Sequence, residues 1–78
     1  MTASYFIIDD ALRNSWREGY IVMCGDPETA IGSVCAEYDR LKDAVAYVAR
    51  RLEPGEQAYR VRLARRHGVH SVKPLKMA

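Results

Sequence analysis

Arginine supplies the leading candidate functional residues of this chain, and four arginines lie close together in its last third. Arg60 and Arg62 are separated by one residue, and Arg65 and Arg66 follow them. A guanidinium group can bind carboxylate or phosphate oxygens through two parallel hydrogen bonds. The spacing therefore predicts a basic surface that binds an anionic partner. The alternative is a solvated strand face whose arginines discourage aggregation or form ordinary surface ion pairs.

The distribution of charge along the chain supports the first interpretation. Residues 1–49 hold four basic and eight acidic side chains, whereas residues 50–78 hold eight basic and two acidic ones. The two segments therefore carry formal charges of −4 and +6, a division that the net charge of +2 conceals. Such polarity can orient the molecule toward an acidic protein surface. Nucleic acid is the alternative partner, although the total charge is small for a dedicated nucleic-acid binder.

A second candidate interface consists of Trp16, Tyr47 and Arg51. Tyr47 and Arg51 are four residues apart, which is about one turn of a helix. Tryptophan, tyrosine and arginine are the residues that most often dominate binding energy at interfaces. The competing interpretation places Trp16 at one end of the hydrophobic core.

No residue pattern in the chain indicates catalysis, a metal ion or a cofactor. His67 and His70 lie beside Arg65 and Arg66, with no further metal ligand nearby in sequence. Nucleophile elbows, zinc-protease motifs and glycine-rich phosphate loops are absent. Asp9-Asp10 follows an apolar run and is expected to cap the next element. We therefore expect a non-enzymatic protein with no catalytic residues.

The length of 78 residues predicts a single domain over residues 1–78 with a modest core. The early apolar run Tyr5–Ile8 is too short for a signal peptide or a membrane span. Cys24 and Cys35 are the two cysteines, and they lack further Cys or His residues at metal-binding spacing. We expect them to be reduced, mostly buried thiols in a cytoplasmic protein.

Apolar patterning predicts four strands in addition to a central segment that can be read in two ways. The strands are expected at residues 5–8, 20–24, 59–63 and 69–72, and a turn or two of helix is expected within residues 10–18. In the third predicted strand Tyr59, Val61 and Leu63 alternate with Arg60 and Arg62. This alternation predicts an apolar face on the core and an arginine face pointing away from it.

Residues 27–38 fit either a helix or a strand. Asp26 and Pro27 resemble the start of a helix that would run to Glu53, and an apolar seam of heptad spacing supports it. Alternatively, residues 30–38 form a strand hairpinned to the preceding one, with the helix beginning at Asp39. Gly32 and its neighbours Ile31, Ser33 and Val34 are weak helix formers, which favours the hairpin.

Both alternatives contain a helix at about residues 40–52, capped by Asp39 and ended by Pro54-Gly55. Its apolar stripe, formed by Leu41, Ala44, Val45, Val48 and Leu52, should cover a sheet. The predicted fold is α+β: a small antiparallel or mixed sheet of 3–5 strands packed on one face by this main helix, which extends back to residue 27 on the helical alternative.

The predicted function is that of a small binding or regulatory protein, comparable in size to adaptors and inhibitors from mobile elements. It would dock on an acidic protein partner through the basic C-terminal surface, with nucleic-acid binding as the alternative. We expect a monomer or a weak homodimer on the hairpin alternative.

Overall fold

The computed structural model describes residues 3–13, 17–64 and 68–76. They form five strands and one helix, in the order β1 (Ser4–Arg13), β2 (Arg17–Asp26), β3 (Ile31–Tyr38), α1 (Leu41–Ala49), β4 (Tyr59–Ala64) and β5 (Gly68–Pro74). The strands make one mixed sheet in the spatial order β3-β2-β1-β4-β5. The helix packs on one face of this sheet, so the predicted α+β fold is confirmed.

The first three strands form an antiparallel meander, and the helix then carries the chain across the sheet. Strand β4 pairs with β1 in parallel, and β5 returns antiparallel to β4. Because parallel strands cannot be joined by a tight turn, the crossover through α1 is the connection that this pairing requires. The crossover also brings the C-terminal strands beside the middle of the sheet.

Two hydrophobic clusters occupy the opposite faces of the sheet. Ile7 and Val22 lie on the helix side, where they pack with Ala44 and Val48 of α1. Side chains alternate along a strand, so Phe6, Ile8, Met23 and Val61 form the other cluster. The continuous apolar run Phe6-Ile7-Ile8 is thus buried on both faces, as expected for a strand in the centre of a sheet.

The hairpin alternative for residues 27–38 is confirmed, and the long helix is wrong. Asp26 does not start a helix: its carboxylate accepts a hydrogen bond from the backbone N–H of Glu28 at 3.0 Å and closes a tight turn. Gly25 and Gly32 then face each other across β2 and β3. A Cβ atom on Gly25 would lie 2.2 Å from the carbonyl oxygen of Ile31, so this close approach requires glycine.

Three finer predictions are wrong. Residues 10–13 continue β1 and residues 17–18 belong to β2, so no short helix interrupts this region in the described part of it. Asp9-Asp10 does not end β1, because the register shift between Ile8 and Ala11 lets the strand continue past both aspartates. The helix begins at Leu41, and its N-cap position is occupied by Arg40 rather than by Asp39.

Candidate functional site

Arg60 and Arg62 lie on the helix side of the sheet, which corrects the predicted orientation of β4. The parallel register sets Arg60 beside Ile7 and Arg62 beside Asp9. Neighbouring residues in register point to the same face, and Ile7 packs under α1. The predicted alternation within the strand is correct, but its apolar residues face the second cluster, around Val61, rather than the helix.

The arginines remain accessible on the helix side because α1 covers only one half of that face. In the described part of the chain, α1 contacts β1, β2 and β3 but neither β4 nor β5. A helix of nine residues has a width of about 10 Å, which spans roughly two strand spacings. The helix-side face of β4 and β5 is therefore left as one wall of an open cleft.

We call this space the basic cleft; its volume is about 500 Å³. Leu41 and Val45 of α1 form its apolar wall, with Pro74 and Leu75 nearby. The charged and polar residues that the structure describes in its lining are Arg60, Arg62, Lys73, Lys76, Asp9 and Ser71. Among the described residues of this lining, four cations against one carboxylate give a formal charge of +3. Such a surface attracts anionic groups and offers an apolar wall beside them.

Asp9 and Arg60 form the best-defined ion pair of the cleft. Nε of Arg60 donates to Oδ1 of Asp9 at 3.2 Å, and Nη2 donates to Oδ2 at 2.5 Å. The Asp9 side chain is 9% exposed, while that of Arg60 is 39% exposed. This two-point contact fixes the plane of the guanidinium, so Arg60 is held in place on the β4 wall of the cleft.

The two lysines of the basic cleft complete its positive charge from the neighbouring strand and the segment after it. Lys73 lies opposite Arg60 across β4 and β5, and Ser71 lies opposite Arg62. Lys73 and Lys76 are exposed and make no ion pair with any residue that the structure describes. They therefore offer ammonium groups to a ligand without first having to release an internal partner.

The other predicted site residues are not gathered in the basic cleft. Arg65, Arg66 and Trp16 lie outside the described residues. Tyr47 and Arg51 belong to the C-terminal end of α1, where the guanidinium carbon of Arg51 is 3.6 Å from the centre of the Tyr47 ring. Arg51 also donates to the carbonyl oxygen of Tyr47 at 3.3 Å. These two residues make a local stacked pair that does not line the cleft.

Sequence reasoning missed Asp9, Lys73 and Lys76 as members of the site, and it missed the apolar wall formed by Leu41 and Val45. Lys73 alternates with Ser71 in β5, so a hairpin register between β4 and β5 would have placed it beside Arg60. The position of Asp9 depends on a parallel pairing between residues far apart in sequence. Nothing in the local pattern indicates that pairing.

The aromatic residues of β1 and β2 belong to the two packed clusters. Tyr5 and Tyr20 pack against the helix-side cluster, and Phe6 is fully buried in the other one. Partial burial raises the pKa of Tyr5 above its ordinary value, with smaller contributions in the same direction from Cys24, Cys35 and Tyr47. Both thiols are unbridged, but Cys35 is exposed, which corrects the expectation of mostly buried cysteines.

The described residues contain no group of three or more His, Cys, Asp or Glu side chains placed to hold a metal ion. The helix in the described part of the chain is too short to cross a membrane. The chain matches no protein-family model, no curated protein and no solved structure. The residues of the basic cleft can form charge-assisted hydrogen bonds to carboxylates or phosphates and can make apolar contacts along α1.

Proposed function

We propose that this chain is a small non-enzymatic binding protein of regulatory type, which docks on an acidic protein partner through the basic cleft. The observation that carries this proposal is the convergence of four cations and an apolar helix wall on one cleft of about 500 Å³. The partner would insert an acidic segment, with carboxylates on Arg62 and Lys73 and an apolar side chain against Leu41 or Val45. The two unbridged cysteines are consistent with action in the cytoplasm.

The apolar wall favours a protein partner over nucleic acid. A phosphate backbone would use the cations but would gain little from Leu41 and Val45. Single-stranded nucleic acids also stack their bases on exposed aromatic rings. Tyr5, Tyr20 and Phe6 are packed in the clusters of the sheet and are poorly placed for such stacking. Nucleic acid remains the second candidate, because the same cations can neutralise phosphates.

The proposal is tested by binding of two labelled probes, an oligoglutamate peptide and a single-stranded oligonucleotide of equal charge. The test variant combines Arg62→Glu with Lys73→Glu, and the matched control carries Arg50→Glu on the exposed end of α1. Fluorescence anisotropy of each protein is measured over a range of salt concentrations. Circular dichroism confirms that every variant is folded.

We expect the double variant to bind oligoglutamate at least about tenfold more weakly than the parent, since close charge pairs at interfaces contribute roughly 1.5 kcal/mol or more. Arg50→Glu should bind like the parent. Tighter binding of the oligonucleotide, with a steep linear fall of log affinity against log salt, would replace the protein partner with nucleic acid. Equal binding by the folded double variant would remove the basic cleft as the site.

The partner itself can be identified by capturing proteins from the native host on the immobilised chain, with and without nuclease treatment.

A further inference from the structure

The half of the helix face that α1 leaves uncovered has the width of a second helix. Strand β3 is parallel to β1 and β4, because β2 pairs antiparallel with β3 and with β1. Helix α1 therefore runs back along the sheet between two parallel strands. Beside it, β4 and β5 occupy about 10 Å, which is the diameter of one helix and the usual distance between packed helix axes.

The basic cleft offers charged and apolar contacts on two adjacent walls. One wall is the helix-side surface of β4 and β5, which carries Arg60, Arg62 and Lys73. The other is the flank of α1, which carries Leu41 and Val45. Because α1 lies on the sheet, its flank rises steeply from the surface of β4 and β5. A ligand that uses the whole cleft must therefore present carboxylates and apolar groups on neighbouring sides of itself.

An α-helix can meet both walls at once, whereas an extended segment cannot. Successive residues of a helix are about 100° apart around its axis, so an acidic stripe and an apolar stripe can lie side by side. Successive side chains of an extended segment point to opposite faces. An extended segment that directs its carboxylates to one wall would therefore direct the alternate side chains away from the other.

The residue spacing along the two walls also matches a helix. Lys73 lies opposite Arg60, so Lys73 and Arg62 are two positions apart, or about 6.6 Å along the strands. Carboxylates four residues apart in a helix are separated by about 6 Å along its axis. Leu41 and Val45 are also four residues apart, so the apolar contacts on α1 have the same period.

We infer that the segment bound in the basic cleft is an amphipathic acidic helix of the partner protein, which docks beside α1 over β4 and β5. The inference rests on the proposed function and specifies the form of its ligand. Acidic residues four apart would face Arg62 and Lys73, and apolar residues on the adjacent stripe would face Leu41 and Val45. The charge of +3 in the described lining favours an acidic helix over a basic or purely apolar one.

The test compares three labelled peptides of identical length, composition and net charge. The first arranges glutamate and leucine as adjacent stripes of a helix, and the second alternates them as in a strand. The third has the order of the first, but its two central residues are D-enantiomers, which disfavour a right-handed helix. Fluorescence anisotropy is measured with the parent, the Arg62→Glu and Lys73→Glu double variant, and Val45→Thr. Ala46→Thr, on the exposed side of α1, is the matched control.

We expect the parent to bind the helical peptide at least about tenfold more tightly than either of the others, because one arrangement satisfies both walls. The double charge variant should weaken this binding at least about tenfold. Val45→Thr should weaken it about threefold, since a hydroxyl would then face the apolar stripe. Ala46→Thr should bind like the parent. Circular dichroism of the mixture should show more helix than the sum of its separate components.

The inference and the proposed function fail in different ways. Equal or tighter binding of the alternating or D-residue peptide, still weakened by the double charge variant, would overturn the helix and leave an extended acidic segment as the ligand. Helical binding that Val45→Thr leaves unchanged would also overturn it, because the partner helix would not contact α1. If no peptide binds, or if the folded double charge variant binds like the parent, the proposed function fails and the inference fails with it.

Discussion

The helix-bearing face of the sheet has two halves that differ in what they bury. Under α1, Ile7 and Val22 are fully buried against Ala44 and Val48. One strand further, Arg60 lies in register with Ile7, yet its side chain is 39% exposed. The change from core to charged surface occurs over a single strand spacing of about 4.8 Å. The comparison shows that the short helix, by its width and position, decides which residues of this face are available for binding.

The largest expected effect comes from placing a charge in the half under the helix. Val48→Asp should abolish cooperative unfolding, because an unpaired buried carboxylate costs several kcal/mol and a small domain has only about 5 to 10 kcal/mol of stability. Ala46→Asp, on the exposed side of the same helix, is the control and should cost about 1 kcal/mol or less. Thermal melts followed by circular dichroism distinguish the two. A Val48→Asp protein that melts like the parent would show that α1 does not cover this half.

A smaller effect is expected from reversing charge within the exposed half, and it should depend on the position. Arg60→Glu places a second carboxylate beside the nearly buried Asp9 and should cost about 2 kcal/mol, reduced from the value for a fully buried pair because Arg60 is partly exposed. Lys73→Glu, directly across the strand pair, should change stability by about 0.5 kcal/mol or less. Urea unfolding measures both. Equal losses of stability in the two variants would mean that the contact with Asp9 does not make position 60 more sensitive to charge reversal than position 73.

The Asp9–Arg60 ion pair itself should contribute about 1 kcal/mol, since one of its members is well exposed. A double-mutant cycle of Asp9→Asn and Arg60→Gln, measured by urea unfolding, isolates this coupling. We expect the combined variant to lose less stability than the sum of the single variants. Additive losses would indicate that the contact holds the side chains in place without stabilising the fold.

The smallest expected effect is a loss of stability at alkaline pH caused by Tyr5, which packs against the cluster under α1. The pKa of Tyr5 is raised in the folded protein above its ordinary value of 10.0, chiefly by burial. The unfolded chain therefore loses this proton first, and stability present below pH 10.0 is lost as pH rises through the folded pKa. Tyr5→Phe should show a weaker fall in melting temperature above pH 10.0 than the parent. Parallel curves for the two proteins would contradict this assignment.

Local patterns predicted most of the elements of the fold. The alternation of Tyr59, Val61 and Leu63 with arginines predicted β4, and the apolar stripe around Val48 predicted α1. The weak helix propensity of Gly32 correctly favoured the hairpin. In the structure Gly32 closely approaches Gly25 on the neighbouring strand. The extension of β1 past Asp9 was missed because adjacent aspartates favour turns, and the ion pair with Arg60 that accommodates Asp9 in the strand involves a residue distant in sequence.

The site was predicted only in part, because its position also depends on contacts between residues that are distant in sequence. The sequence indicated Arg60 and Arg62 as neighbours on one strand face, and that is correct. Which face they occupy depends on the parallel pairing of β4 with β1 and on the limited reach of α1, neither of which has a local signal. Because Arg60 is paired with Asp9, charge reversal at Arg62 and Lys73 is a better functional test than charge reversal at Arg60.

The central claim, that the uncovered half of the helix face is the binding surface, is tested most directly by an NMR titration. Amide chemical shifts of the isotopically labelled protein are followed as oligoglutamate is added at low salt. We expect the largest changes at Arg62, Lys73 and Lys76 and along Leu41–Val45, with Tyr47, Arg51 and β3 nearly unchanged. Changes concentrated at Tyr47 and Arg51, or spread evenly over all exposed cations, would contradict the claim.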